Sequence, residues 1–223
     1  MCGIVGYIGD DKATPILLNG LEKLEYRGYD SAGVAVYQNH SVEVVKSKGR
    51  LKNLCDILTS DNHMTGTLGI GHTRWATHGE PSDINSHPHC SENGSFAVVH
   101  NGIIENYLYL RDYLMNKGKR FASETDTEVV AQLLEYYYNG NILDTIIKVL
   151  SKIEGAYALG IICKDDPDTL YAVRKDSPLI IGLGKGENFI ASDIPAIIDK
   201  TRDIYRLNDN EIAVIKRDNV TVY

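Results

Sequence analysis

Cys2-Gly3-Ile4-Val5-Gly6-Tyr7-Ile8-Gly9 is the stretch on which the reading of this chain turns. Ile4-Val5-Gly6-Tyr7-Ile8 is a short, almost continuous apolar run, the pattern of a strand buried on both faces. Its glycines mark places where another part of the chain comes close. Directly ahead of the run stands Cys2, behind the initiator Met1. Loss of Met1 leaves a thiol and a free α-amine on one residue. Such an amine titrates near pKa ~7.7–8.0, well below a lysine at ~10.4. It is therefore poised for general-base work at cellular pH, and an N-terminal amine can activate a side-chain nucleophile. A lone cysteine near a terminus also fits a small buried hydrophobe, so the rest of the chain must supply the other parts of a site.

Composition narrows the class. The 223 residues, 43% of them hydrophobic and 24% charged, suit one large soluble domain or two small ones. Lys and Arg number 23 against 30 Asp and Glu, a net charge of −7. That balance argues against broad binding of nucleic acid or anionic membrane. No apolar stretch reaches the ~18 residues of a membrane span, and no secretory leader is expected. Cys2, Cys55, Cys90 and Cys163 lie far apart, without the spacing of a disulfide framework. They are expected as free thiols of a cytoplasmic protein.

No linker or internal repeat divides the chain, so residues 1–223 are expected as one domain. Thr14-Pro15 is expected to start a helix whose Leu17, Leu21 and Leu24 share one face. Ala32–Tyr37 and Val42–Lys46 read as a hairpin, Leu51–Leu58 as a short helix and Thr67–Arg74 as a strand. Ala76–Ser95 loses all periodicity, and a loop of that length is often functional. Phe96–His100 reads as a strand that Asn101-Gly102 turns into a helix from about Ile104. Thr125-Asp126-Thr127-Glu128 matches a capping box ahead of a helix, and Ile142–Leu150 is a further helix. Ala156–Cys163, Thr169–Arg174, Leu179–Leu183, Asn188–Ala191, Ile204–Leu207, Glu211–Lys216 and Val220–Tyr223 read as strands, with Ile194–Asp199 helical between them. Many strands with clustered helices point to an α+β fold, with sheets covered by helices on their outer faces.

Several side chains invite a chemical reading beside a plain one. Arg74 could grip a carboxylate with its planar fork, or sit in a surface ion pair. Trp75, the only tryptophan, could gate a pocket or fill a core. Asn101-Gly102 could supply an oxyanion hole or be an ordinary turn. Asp126 could hold an ammonium or stabilise a helix N-terminus. His87-Pro88-His89-Cys90 suggests metal ligands, but its spacing matches no closed zinc site. Gly182–Glu187 lacks the pattern of a phosphate-binding loop. Taken together, a thiol with an amine, a carboxylate clamp, an oxyanion hole and an ammonium clamp are the parts needed to hold an α-amino acid and attack its side-chain amide.

The opening Met1-Cys2-Gly3-Ile4-Val5-Gly6 resembles that of the N-terminal-nucleophile, or class II, glutamine amidotransferases. Glu25–Gly33, His72–Gly79, His100–Asn106, Ser123–Glu128, Ser177-Pro178-Leu179 and Glu187–Asp193 are worded like the glucosamine-6-phosphate-forming members. The resemblance covers essentially the whole chain. It implies a four-layer αββα sandwich of two mainly antiparallel sheets, and hydrolysis of L-glutamine to L-glutamate and ammonia through a thioester on Cys2. It also implies Asn101 and Gly102 as the oxyanion hole, with Arg74, Thr77 and His78 on the carboxylate side of the substrate. Asp126 would pair with the ammonium, Arg27 would order the N-terminal site and Trp75 would gate ammonia. Neither metal nor cofactor is implied. The partner is a pair of sugar-isomerase domains binding fructose 6-phosphate, which these residues do not include. Two other classes stay compatible with the residues: a metal-dependent hydrolase on His72, His78, His87 and His89, and a ligand-sensing module without catalysis.

Overall fold

The computed structural model describes residues 2–61, 64–75 and 79–223, without the side chains of residues 27, 60 and 61. Among them, one seven-stranded sheet runs in the order β11 (Ile204–Arg206), β9 (Ile180–Leu183), β10 (Asn188–Ala191), β1 (Gly3–Ile8), β4 (Leu68–Arg74), β2 (Ser31–Gln38) and β3 (Ser41–Lys48). A six-stranded sheet runs β13 (Val220–Val222), β12 (Ile212–Ile215), β8 (Asp166–Lys175), β7 (Gly155–Cys163), β6 (Phe96–Ile104) and β5 (His89–Cys90). The neighbouring strands pair antiparallel throughout both sheets. Helices α1 (Ala13–Glu22) and α2 (Leu51–Asp61) pack on the first sheet, and α3 (Tyr107–Met115), α4 (Thr127–Tyr137) and α5 (Ile142–Leu150) on the second. The four layers are therefore αββα.

Strand alternation explains the layers. Successive side chains of a strand point to opposite faces. On β1, Val5 and Tyr7 pack with Leu17 and Leu21 of α1, whereas Ile4 and Ile8 enter the core between the sheets. There they meet Ile70 of β4, Ala97 and Val99 of β6, and Ile162 of β7. All six residues of β1 are buried. Gly6 lies on the inter-sheet side, where a Cβ would stand 2.6 Å from Ile190 Cγ1 and 3.1 Å from Leu170 Cδ2. The missing side chain lets the second sheet approach.

Four local expectations are corrected. Helix α1 starts at Ala13 behind Lys12, and the Thr14 hydroxyl donates to the Met64 carbonyl instead of capping. The segment from Ile194 forms only a 3-10 turn, Ile194–Ala196. Asn101-Gly102 does not end the strand, because β6 runs on to Ile104 with Gly102 opposite Tyr157, and helix begins only at Tyr107. A Cβ on Gly102 would lie 2.0 Å from the Ala156 carbonyl oxygen, and its φ is +126°, so this glycine serves a close approach of the paired strand β7. Within the long loop, His89–Cys90 pairs with β6 as β5, and Asn85, Ser86 and His87 are buried. Polar sequence hid this packing because its partners are other buried polar groups.

Gly6→Ala should overpack the inter-sheet core and cost about 1–3 kcal/mol. Urea denaturation of both proteins measures this. An unchanged midpoint would mean that Ile190 moves aside freely and the close approach is dispensable.

Candidate active site

The inter-sheet face is apolar along most of its length and turns polar at one end. On β4 the residues sharing that face are Leu68, Ile70, His72 and Arg74. On β6 they are Ala97, Val99 and Asn101. On β1, the alternation that buries Ile8 and Ile4 leads outward to Cys2. Gly3 pairs with Thr73 and Ile4 with His72, so the start of β1 lies beside the end of β4. The same register that builds the core thus delivers Cys2, Arg74 and Asn101 to one opening. A cavity of about 320 Å³ sits there, lined by Cys2, Arg74, Trp75, Asn101, Gly102 and Asp126.

Cys2 Sγ accepts a hydrogen bond from the Trp75 backbone N–H at 3.1 Å and lies 3.5 Å from the Trp75 carbonyl. Burial pushes the thiol pKa up, against the opposing pull of the Trp75 bond and of nearby Arg74. The thiol therefore needs a base to become a nucleophile. Arg74 is 4% exposed, and its NH2 donates to the Gly79 carbonyl at 3.1 Å. Its guanidinium shares electrostatic fields with Asp30, Cys2 and Asp126. Burial lowers its pKa, yet a guanidinium keeps its charge.

Asn101 Nδ2 donates to the Cys2 carbonyl at 3.0 Å, which ties β6 to the backbone of Cys2. Asp126 occupies the N-cap position of α4 without capping it. Its Oδ2 instead accepts from the Ile104 N–H at 2.8 Å. The helix start is satisfied otherwise: Thr125 Oγ1 accepts from the Glu128 N–H at 3.4 Å, while the Glu128 carboxylate takes the N–H groups of Ala122 and Ser123. Half of the expected capping box therefore forms, and Asp126 stands at the helix N-terminus, as its plain reading expected, while its carboxylate bonds to Ile104. Trp75 is 47% exposed, with its ring set edge-on to Tyr29 at 5.3 Å between centroids. Thr77, His78 and the Arg27 side chain lie outside the described residues.

The cavity wall also includes His87, His100, Thr125, Thr127, Ser177 and Pro178, none of which the motif reading assigned to the amide-binding site. Period-two counting along Phe96–Ile104 could have put His100 on the helix-facing side of β6. There its Nδ1 lies 2.9 Å from Thr127 Oγ1 of α4. The His72 and His87 rings stack at 4.2 Å, and His87 meets His89 at 4.8 Å. His87 Nδ1 accepts from the His100 N–H at 3.3 Å, and His89 Nε2 lies 3.0 Å from Thr125 Oγ1. Among the described residues, no group of three or more His, Cys, Asp or Glu is arranged to hold a metal ion.

Burial drives the pKa of His72 down to about 3 and those of His87 and His89 well below the ordinary value. The unfolded chain then binds more protons than the folded one below about pH 6.5. The contribution of this cluster to stability is fully present above that pH and is lost as pH falls. Urea denaturation between pH 7.5 and pH 4 should show stability declining, each ring adding up to about 1.4 kcal/mol per pH unit. A flat profile would mean that the rings are charged in the folded protein.

The glutamine amidotransferase domain profile matches residues 72–199 of this chain, more than half of it. A relative from Caldanaerobacter subterraneus subsp. tengcongensis, glutamine–fructose-6-phosphate aminotransferase [isomerizing], is 65% identical over 99% of this chain and 36% of its own length. The protein of the same name from Clostridium tetani is 58% identical over 100% of this chain and 36% of its own length. The chain thus spans about a third of these relatives. The solved glutamine phosphoribosylpyrophosphate amidotransferase of B. subtilis superposes on all of this chain and 49% of its own, with a TM-score of 0.86 and 26% identity. By the matched profile, the full-length identity and the shared αββα architecture, the chain belongs to the glutamine amidotransferase domain family, in its N-terminal-nucleophile class.

Proposed function

We propose that residues 1–223 are a glutaminase domain that hydrolyses L-glutamine to L-glutamate and ammonia once Met1 is removed. The observation that carries this reading is the convergence of Cys2, Arg74, Asn101, Gly102 and Asp126 on one cavity. The Cys2 amine takes the thiol proton, and Sγ attacks the side-chain amide carbon. The raised thiol pKa makes that base necessary, and the Trp75 N–H at 3.1 Å steadies the developing thiolate. Asn101 and Gly102 receive the oxyanion. The protonated amine hands its proton to departing ammonia, and water resolves the γ-glutamyl thioester to glutamate. Arg74 binds the substrate carboxylate and Asp126 its ammonium, opposite charges held apart on two walls of the cavity. Thr77 and His78 assist on the carboxylate side, Arg27 orders the N-terminal site, and Trp75 gates the opening.

The names and lengths of the relatives support a wider reading. In the whole protein the ammonia aminates fructose 6-phosphate, bound by sugar-isomerase domains beyond these residues, to give glucosamine 6-phosphate for aminosugar synthesis. The setting is the cytoplasm, where thiols stay reduced. Four free cysteines support this. No helix among the described residues is long and apolar enough to cross a membrane.

Intact mass to establish loss of Met1, followed by ammonia release from glutamine, tests the core of the proposal. Cys2→Ala should abolish turnover while isothermal calorimetry still detects glutamine; surviving turnover would remove Cys2 from the chemistry. Asn101→Ala should lower kcat by about 10²–10³, the usual worth of one oxyanion donor. Arg74→Lys should raise KM, because an ammonium cannot reproduce the two-pronged fork; an unchanged KM would refute the clamp.

A further inference from the structure

Two fixed carbonyls frame a short chain of hydrogen bonds at the mouth of the cavity. His72 projects from β4 across the inter-sheet space. Its Nε2 lies 3.0 Å from the His100 carbonyl oxygen and 2.9 Å from Asn101 Oδ1. A carbonyl oxygen can only accept, so Nε2 must carry the proton. With that proton in place, the atom of Asn101 facing His72 must be the oxygen. The other end of the amide gives the same answer independently. Asn101 Nδ2 faces the Cys2 carbonyl at 3.0 Å, and a reversed amide would set two acceptors against each other. The backbone therefore dictates both the imidazole tautomer and the amide orientation.

An amide nitrogen has two hydrogens. One of those on Asn101 Nδ2 is engaged by Cys2. We propose that His72, as a neutral Nε2–H imidazole, is the positioning residue that locks the Asn101 amide so that its second Nδ2–H is presented to the cavity. The assignment rests on the glutaminase reading for its chemical purpose, but its geometry does not. His72 takes no part in bond making.

Energetics argue against a purely space-filling histidine. His72 is 1% exposed, and it follows Leu68 and Ile70 on the same apolar face. Among the described residues, its Nδ1 has no hydrogen-bond partner. Leaving a buried acceptor unsatisfied is costly, and an aliphatic side chain would fill the space without that cost. The retained imidazole gives one thing an aliphatic group cannot, a donor bridging the two sheets at Asn101. Its stack on His87 at 4.2 Å fixes the ring plane. The neutral state is held by burial, which keeps the lock closed across the working pH range.

Three variants and one spectrum test this on the chain lacking Met1. Nitrogen-15 NMR of the imidazoles should show His72 neutral and protonated at Nε2 at pH 7, and an Nδ1–H tautomer or an imidazolium would overturn the proposal. H72L fills the volume without a donor. It should lower kcat by about ten- to a hundredfold, part of the 10²–10³ that one oxyanion donor is worth, with KM for glutamine little changed. Iodoacetamide should still alkylate Cys2 in H72L at the parent rate, since that displacement forms no oxyanion. H72Q, whose amide N–H reaches about as far as Nε2, should recover most of the lost kcat, whereas the shorter H72N should not. Equal kcat in all three variants, or losses confined to KM, would overturn the assignment. If H72L proves too unstable, the Q–N comparison decides. If the parent chain releases no ammonia, the glutaminase reading fails. The tautomer and the loss of the protected Asn101 amide signals in H72N then still decide the positioning role.

Discussion

The double burial of β1 is the constraint on which the rest of the molecule depends. This strand is hydrogen-bonded to β10 on one edge and β4 on the other, with helices over one face and a second sheet under the other. A strand held on four sides has no freedom of register, because a one-residue slip would exchange its two faces. Its first residues are held by β4, with Ile4 also bonded to Ser192 beyond β10. Cys2 is thereby set at the rim of the inter-sheet core, with its sulfur on the Trp75 backbone and its carbonyl on Asn101. The same enclosure raises the thiol pKa. Position and the need for a base thus have one physical origin.

Around that rim the structure keeps polar groups in a dry setting by satisfying most of them with backbone. Asp126 accepts from Ile104, Arg74 donates to Gly79, and His87 accepts from His100. Three stacked or edge-on imidazoles stay neutral because charging them would leave cations buried beside Arg74 and Lys46. The outcome is a cavity whose permanent charges are few and well separated in kind, with a guanidinium and a carboxylate on its wall. That arrangement suits the zwitterionic end of an amino acid, the substrate proposed for it.

Much of this was legible in the residues. The apolar run after Cys2 is fully buried, Leu17 and Leu21 do form a buried face of α1 although Leu24, expected with them, lies past the helix end at Glu22, and most strand assignments in the last third stand within a residue or two. These succeed because burial on one or two faces leaves a periodic trace in the sequence. Asn101-Gly102 shows where the trace misleads. An Asn-Gly pair is a strong local turn signal, but pairing with β7 overrides it, and the glycine is needed for the close approach of the Ala156 carbonyl. The loop after Trp75 misleads in the other direction. It shows no periodicity and reads as an irregular loop, yet Ser86, His87 and His89 are buried, the two histidines against His100 and Thr125.

The sequence alone determined the α+β class and the strand that carries the cysteine through alternation, and the αββα layering and the Arg74, Trp75, Asn101, Gly102 and Asp126 part of the cavity wall through motif wording, because both are local properties. It could not determine that Asp126 turns from its own helix to Ile104, nor that His72 reaches across to Asn101. Those partners are separated by 22 and 29 positions and lie on different elements. The first meeting is set by how α4 docks on β6 and the second by the spacing of two sheets stacked face to face, and no window of the chain encodes either distance.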